Sequence, residues 1–213
     1  QGTCGTCGAF SSVATAESAR AAVLKRRAVN ELSEQYFYFC NSQPEHDHTC
    51  EYGFYMTEIA KEAAENGYRW LKCWPYKPND GTYWCGFLQC DSAAPYGPTG
   101  RFKSVRLSDR TTMKSHIMAY GAVLTGMLTN NFMNNYAGGV IKSYGSEDLT
   151  SGHFVSVVGW NDDQRYWIAK NSWGADWGES GFFRISYDNQ QFMTANGWLG
   201  APLGFIYTPG RGE

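Results

Sequence analysis

Cys7 lies between glycines, in Gly5-Thr6-Cys7-Gly8, directly ahead of an alanine-rich segment that predicts a helix. A thiol at a helix N-terminus meets unpaired N–H groups and the positive end of the helix dipole. Both favour the thiolate, which is the nucleophilic form. Cys4 shares the same loop, and spacing alone does not choose between the two; Cys7 is the nearer to the helix. A thiolate needs an imidazole as proton partner, and the chain has four histidines. His46 and His48 fall in a polar loop, and His116 falls on a predicted helix. His153 opens the apolar run Phe154-Val155-Ser156-Val157-Val158 after a Ser-Gly pair. A polar residue at a strand end is how a rigid scaffold presents a catalytic group, although a lone histidine is more often a hydrogen-bonded structural residue. Asn171 follows a second apolar run, Tyr166 to Lys170. Its neutral amide is suited to hold one ring nitrogen of a histidine and so fix its tautomer.

Seven cysteines are present: Cys4, Cys7, Cys40, Cys50, Cys73, Cys85 and Cys90. All lie in the first 90 positions. So many in one chain suit an oxidising, exported setting, and an odd number leaves one thiol over. Two other readings stay open. The seven are buried reduced thiols, or Cys40, His46, His48 and Cys50 bind zinc, though their spacing matches no standard ligand pairing. No metal and no cofactor is expected.

The elements that must position these residues follow from pattern. The chain of 213 residues carries a net charge of -2 with 43% apolar and 16% aromatic residues. That composition excludes a disordered tail and gives no basic footprint for nucleic acid. The longest weakly polar run, Ile117 to Leu128, is about 12 residues against the roughly 20 that cross a membrane. No nucleic-acid or membrane partner is expected. No export signal opens the sequence, so a mature or trimmed product, or one never exported, is expected. Helical spacing covers residues 7–29, a second helix opens at Ser33, and a third covers 54–66, closed by Asn66-Gly67. Trp74 to Gly100 is rich in proline and glycine and reads as a linker. Beyond it only Thr111 to Tyr120 looks helical. Strand-like runs then follow at Ala122–Leu128, Gly139–Ser143, His153–Trp160, Tyr166–Lys170 and Gly181–Tyr187. Helices first and strands later predict an α+β fold of two lobes, split near residue 100.

Together these residues resemble a family. Gln1-Gly2-Thr3-Cys4-Gly5-Thr6-Cys7-Gly8-Ala9-Phe10 is similar to the nucleophile segment of papain-like cysteine peptidases, the papain and cathepsin group. Gly152-His153-Phe154-Val155 resembles its histidine segment. Tyr166 to Gly174, running on through Trp177-Gly178-Glu179-Ser180-Gly181-Phe182-Phe183-Arg184-Ile185, resembles its asparagine segment and is the most specific match. Leu32-Ser33-Glu34-Gln35, Trp74-Pro75-Tyr76 and Tyr136-Ala137-Gly138-Gly139-Val140 also fall where the family has similar stretches. Two positions depart from its pattern: Thr6 stands where serine or alanine is usual, and Gly8 where an aromatic is usual. Gly8 puts the shape of the pocket beside the nucleophile in question, not the nucleophile.

The resemblance implies a papain-like fold: a helical, disulfide-stapled lobe over 1–99, an antiparallel β-barrel-like lobe over 100–213, and the active site in the cleft between. It implies that Cys7 is the nucleophile, paired with His153, which Asn171 orients and Trp173 shields. Gln1 would donate to the oxyanion together with the Cys7 N–H. Glu17 would be structural. Gly53, Phe54, Tyr55, Gly152 and Phe154 would contact substrate, and Phe154, where alanine is common, would make the main specificity pocket shallow. The implied disulfides are Cys4–Cys50 and Cys40–Cys85, with Cys73–Cys90 left over. The implied activity is hydrolysis of peptide bonds in proteins through an acyl-enzyme, by an endopeptidase. A catalytically silent binding protein and an acyl transferase on the same site are the alternatives. Implied partners are peptide or protein substrates and a propeptide or protein inhibitor in the cleft of a monomer. The implied place is secreted, lysosome-like or, in a bacterium, periplasmic. The resemblance also implies a segment ahead of Gln1, either cut away or preceding this sequence.

Overall fold

The computed structural model describes residues 1–27, 31–40, 49–77, 90, 97–144, 149, 151–193 and 199–213. Most of the predicted linker, with Cys85, and the His46-Asp47-His48 loop lie outside these residues.

Helix α1, Cys7–Leu24, is buried on most of its circumference. Small side chains let neighbouring elements approach it closely, and its buried hydroxyls are satisfied. Ser11 Oγ donates to the Cys7 carbonyl at 2.8 Å, and Ser12 shares a 2.6 Å hydrogen bond with Tyr68. The helix stops earlier than its sequence pattern suggests. Lys25 turns left-handed at φ 51°, and Arg26 N–H bonds back to Ala21. The basic cluster Lys25-Arg26-Arg27 therefore follows the helix.

The expected second helix is a π-helical turn, Tyr36–Cys40. Ser33 caps it, its Oγ accepting from Tyr36 N–H at 2.9 Å while donating to the Trp74 carbonyl. Helix α2, Met56–Glu65, ends at Asn66 and the left-handed Gly67, φ 64°, as the sequence suggests.

The second half builds one seven-stranded sheet. In chain order its elements are β1 Arg101–Arg106, α3 Arg110–Tyr120, β2 Val123–Thr129, the single turn α4 Asn131–Asn134, β3 Val140–Ile141, β4 Ser151–Asn161, β5 Tyr166–Lys170, β6 Phe182–Ser186 and β7 Leu203–Thr208. The strand order is β1-β7-β2-β4-β5-β6-β3. Pairing is antiparallel except that β3 runs parallel to β6. β1, β7 and α4 are not marked by the sequence pattern.

Alternation along β4 divides its side chains between two cores. Phe154 joins α1, α2, Phe102 of β1 and Leu203, Phe205 and Tyr207 of β7 in the first core. Val155 and Val157 join Val123, Met127, Trp167, Phe183 and Ile185 in the second. β4 therefore lies with one face on α1, which brings the start of the strand beside the start of the helix.

Cys4 is bonded to Cys50 and Cys73 to Cys90. Cys40 is also disulfide-bonded. Among the described residues Cys7 is the free cysteine. No helix of the described residues is long and apolar enough to cross a membrane, and those residues hold no cluster suited to a metal ion.

Candidate active site

Thr6 precedes α1 without capping it with its side chain. Its hydroxyl instead shares a 2.8 Å hydrogen bond with Tyr76. The N–H groups of Cys7 and Gly8 at the start of α1 are thus left for another acceptor, and the Cys7 thiol takes that place. Backbone N–H groups of Phe154, Gly8 and Cys7 itself all point to it. The Phe154 contact sets Cys7 directly against the residue that follows His153.

His153 is the third residue of β4, paired across the sheet with Met127. Its Nε2 lies 2.7 Å from Asn171 Oδ1. Ser172 N–H also donates to that oxygen, at 2.8 Å, so the Asn171 side chain is fixed with its oxygen toward the ring. Nε2 must then carry the hydrogen, which leaves Nδ1 free to exchange a proton. Asn171 Nδ2 is buried without a partner, so the contribution of this residue lies in its oxygen. Trp173 covers the imidazole, ring centroids 4.8 Å apart and planes inclined by 34°. Trp177 stands edge-on to Trp173 and donates its indole N–H to the Met133 carbonyl of α4 at 3.0 Å. The turn carrying these rings is closed by Asn171 N–H to Gly181 and by the Glu179–Arg184 ion pair.

Burial sets the charges. Cys7 is 7% and His153 4% exposed. Burial pushes the Cys7 thiol up, against the three backbone N–H groups. Burial pushes His153 down to about 4, against its hydrogen bond to Asn171. Neither charge is favoured alone. A thiolate and an imidazolium created together by one proton transfer would relieve each other, because opposite charges attract strongly where water is excluded.

Gln1 is held at both ends of its side chain. Ser172 Oγ donates to Gln1 Oε1, and Gln1 Nε2 donates to the Cys4 carbonyl at 2.9 Å. An amide nitrogen carries two hydrogens, so one remains for another acceptor. The same Cys4 carbonyl accepts from Thr6 N–H at 2.8 Å. Ser172 and Tyr76 are therefore part of this neighbourhood, although nothing in the sequence pattern alone marks their contacts.

The residues expected to touch substrate divide by burial. Gly53 is exposed, its α-carbon facing the Gly5 carbonyl, and Tyr55 is half exposed. Gly152 is half-buried opposite Leu128. Phe54 and Phe154 are each 1% exposed, inside the first core. The space beside Gly8 is filled by Phe54 and Ile59. A Cβ there would stand 3.0 Å from Phe54 Cβ and 3.1 Å from Ile59 Cδ1. Glu17 accepts from Leu32 N–H at 2.8 Å, a contact that ties α1 to the following loop.

Comparison with known proteins gives the family. Residues 1–198 match the model of the papain family cysteine protease family. The senescence-specific cysteine protease SAG12 of Arabidopsis thaliana is 33% identical over 192 residues, covering 88% of this chain and 52% of that protein. Cathepsin B-like CP2 of Giardia intestinalis is 32% identical over 193 residues, covering 87% and 62%. The chain thus spans between half and two thirds of the length of these relatives. Among solved structures, digestive procathepsin L 3 of Tenebrio molitor superposes with a TM-score of 0.69 at 26% identity, covering 95% of this chain and 64% of that one. The Carica candamarcensis cysteine protease CMS1MS2, in complex with E-64, superposes with a TM-score of 0.65 at 25% identity, covering 99% and 91%. With the α+β fold and an ordered histidine–asparagine pair beside a helix-borne free thiol, the chain belongs to the papain family of cysteine proteases.

Proposed function

We propose that the protein is a cysteine endopeptidase that cleaves peptide bonds through Cys7, His153 and Asn171. The observation that carries the reading is the 2.7 Å bond from His153 Nε2 to Asn171 Oδ1 beside a thiol held by the Phe154 N–H. The Cys7 Sγ attacks the substrate carbonyl as its proton passes to His153. The imidazolium then gives that proton to the leaving amine, whose C–N bond breaks. Water deprotonated by His153 releases the acid and restores the thiol. The Cys7 N–H and the second hydrogen of Gln1 Nε2 are the donors proposed for the oxyanion. Residues 1–99, which carry the nucleophile, and 100–213, which carry the histidine and asparagine, are read as the two lobes of the cleft.

Partners follow from this reading. Extended peptide would lie along Gly53. A propeptide or an inhibitor would occupy the same cleft, as the procathepsin and E-64 structures among the neighbours suggest. The disulfides favour an oxidising compartment, outside the cell or lysosome-like. The pocket for the side chain second from the scissile bond is read as shallow. Leu199 packs directly on Gly126, the cross-strand partner of Phe154. Small or medium apolar side chains should be preferred, and a peptide library selecting phenylalanine or leucine would refute that.

Iodoacetamide alkylation across pH, with the labelled cysteine found by mass spectrometry, tests the main reading. Fast labelling of Cys7 near pH 5, well below the ordinary thiol value of about 8.5, is expected. Labelling only near pH 8 would mean that the ion pair does not form.

A further inference from the structure

Tyr76 touches both sides of the proposed oxyanion site. Its hydroxyl donates to the Gln1 carbonyl at 2.9 Å and meets Thr6 Oγ1 at 2.8 Å. A phenol has one hydrogen and a carbonyl only accepts, so that hydrogen is committed to Gln1. Thr6 must therefore donate to the Tyr76 oxygen. Burial pushes the Tyr76 phenol up from its usual range, so it stays a donor wherever the enzyme works.

Tyr76 is itself well anchored. Its ring stands edge-on to Phe10 of α1, centroids 4.8 Å apart. Lys77 N–H donates to buried Gln35 at 3.1 Å, and the Trp74 carbonyl accepts from Ser33. The Cys73–Cys90 disulfide fixes the chain just ahead of it. One rigid phenol thus spans the main chain of Gln1 and the residue immediately before Cys7. Gln1 is otherwise held from the other half of the chain, by Ser172 through its main-chain nitrogen, at 2.9 Å, and through its side chain.

We propose that Tyr76 is a positioning residue of the oxyanion hole, holding the Gln1 amide and the Cys7 N–H in register through its hydrogen bonds to the Gln1 carbonyl and to Thr6. The proposal rests on the oxyanion role of Gln1 given above. It also accounts for the hydroxyl at position 6: Thr6 orients the phenol instead of capping the helix.

The test compares Tyr76→Phe, Gln1→Ala and the double variant on a fluorogenic peptide amide. Tyr76→Phe is expected to lower kcat about tenfold, the typical effect of one lost hydrogen bond, with KM almost unchanged. It should weaken a peptide aldehyde by the same factor, because the aldehyde adduct carries the oxyanion. Iodoacetamide alkylation of Cys7 needs no oxyanion hole, so its rate and pH profile should stay as in the parent. In the Gln1→Ala background Tyr76→Phe should cost clearly less than in the parent, since only its hold on the Cys7 N–H through Thr6 is left to lose. Thr6→Val, nearly isosteric, should show a smaller loss of the same kind. Full activity of Tyr76→Phe, multiplicative losses in the double variant, or an equal fall in alkylation rate would each overturn the proposal. Full activity of Gln1→Ala would instead overturn the oxyanion reading on which it stands.

Discussion

Asn171 and Gly8 mark the two limits of what single residues in this site do. Asn171 acts through one oxygen, which accepts from both His153 and Ser172. Asn171→Ala removes a bond that strengthens when the ring becomes charged. Hydrogen bonds to charged groups are worth about 1.5–3 kcal/mol, so kcat should fall roughly tenfold to a hundredfold, with KM little changed. Steady-state kinetics with a peptide amide checks this. Gly8 acts by being small. Gly8→Ala would press on Phe54 Cβ and Ile59 Cδ1, both inside ordinary contact distance. Overpacking of this kind costs about 1–3 kcal/mol, outweighing the helix propensity gained. Thermal melts should show Gly8→Ala destabilised and Gly8→Ala/Ile59→Val less so. Cys7, His153 and Asn171 are legible in the sequence because each sits at an element boundary that pattern reveals. The filling of the space beside Gly8 is not, because Phe54 and Ile59 reach it only through tertiary packing.

At the scale of elements, the site is the crossing of α1 and β4. Thr15 and Ser156 share a 3.0 Å hydrogen bond, and Ser156 Oγ donates to the Ser11 carbonyl at 2.8 Å. This buried polar seam fixes the height of α1, which carries Cys7, against β4, which carries His153. Ser156→Ala leaves Thr15 without its partner in a site closed to water. A loss of about 1–3 kcal/mol in stability is expected, measurable by denaturant unfolding. Because Cys7 and His153 lie on the two elements so joined, the Cys7 alkylation rate near pH 5 should fall as well. An unchanged rate would mean the seam supports the fold only. The seam also explains why α1 carries no single apolar stripe: the helix is buried nearly all round, so hydroxyls and alanines line it. β1 and β7 escape the sequence for a related reason. Arg101, Lys103 and Arg106 dominate β1, and Gly204 interrupts β7. Each becomes a strand by pairing with the other, across a chain separation that local pattern does not see.

Over the whole molecule, two buried groups outside the site contribute to how acid destabilises the protein, in separate pH windows. His116 lies at the contact of α3 with β7, where its Nε2 has no partner and Gly204 leaves room for the ring. Burial pushes it below its ordinary value of about 6.5. The unfolded chain therefore takes up a proton that the folded chain resists. Stability from this group is complete above about 6.5 and is lost as pH falls from there toward the folded value. Glu213 behaves at lower pH. Its carboxylate pairs with Arg20 at 3.1 Å, both side chains about nine-tenths buried, and also accepts from Tyr207 and the Gly100 N–H. These partners hold it below the ordinary carboxylate value although burial opposes them. Its contribution is complete above the ordinary value of about 4.3 and is lost as pH falls through the folded value. Melting temperature against pH, for the parent and two variants, separates the two. His116→Met should make the curve less steep just below pH 6.5, where buried His153 still contributes, and leave the lower limb. Glu213→Gln strands the Arg20 charge, a change that costs about 3–5 kcal/mol for a buried pair. It should lower the whole curve near neutrality and lessen the fall below about pH 4. If both variants changed the same limb, the assignment of these windows would be wrong.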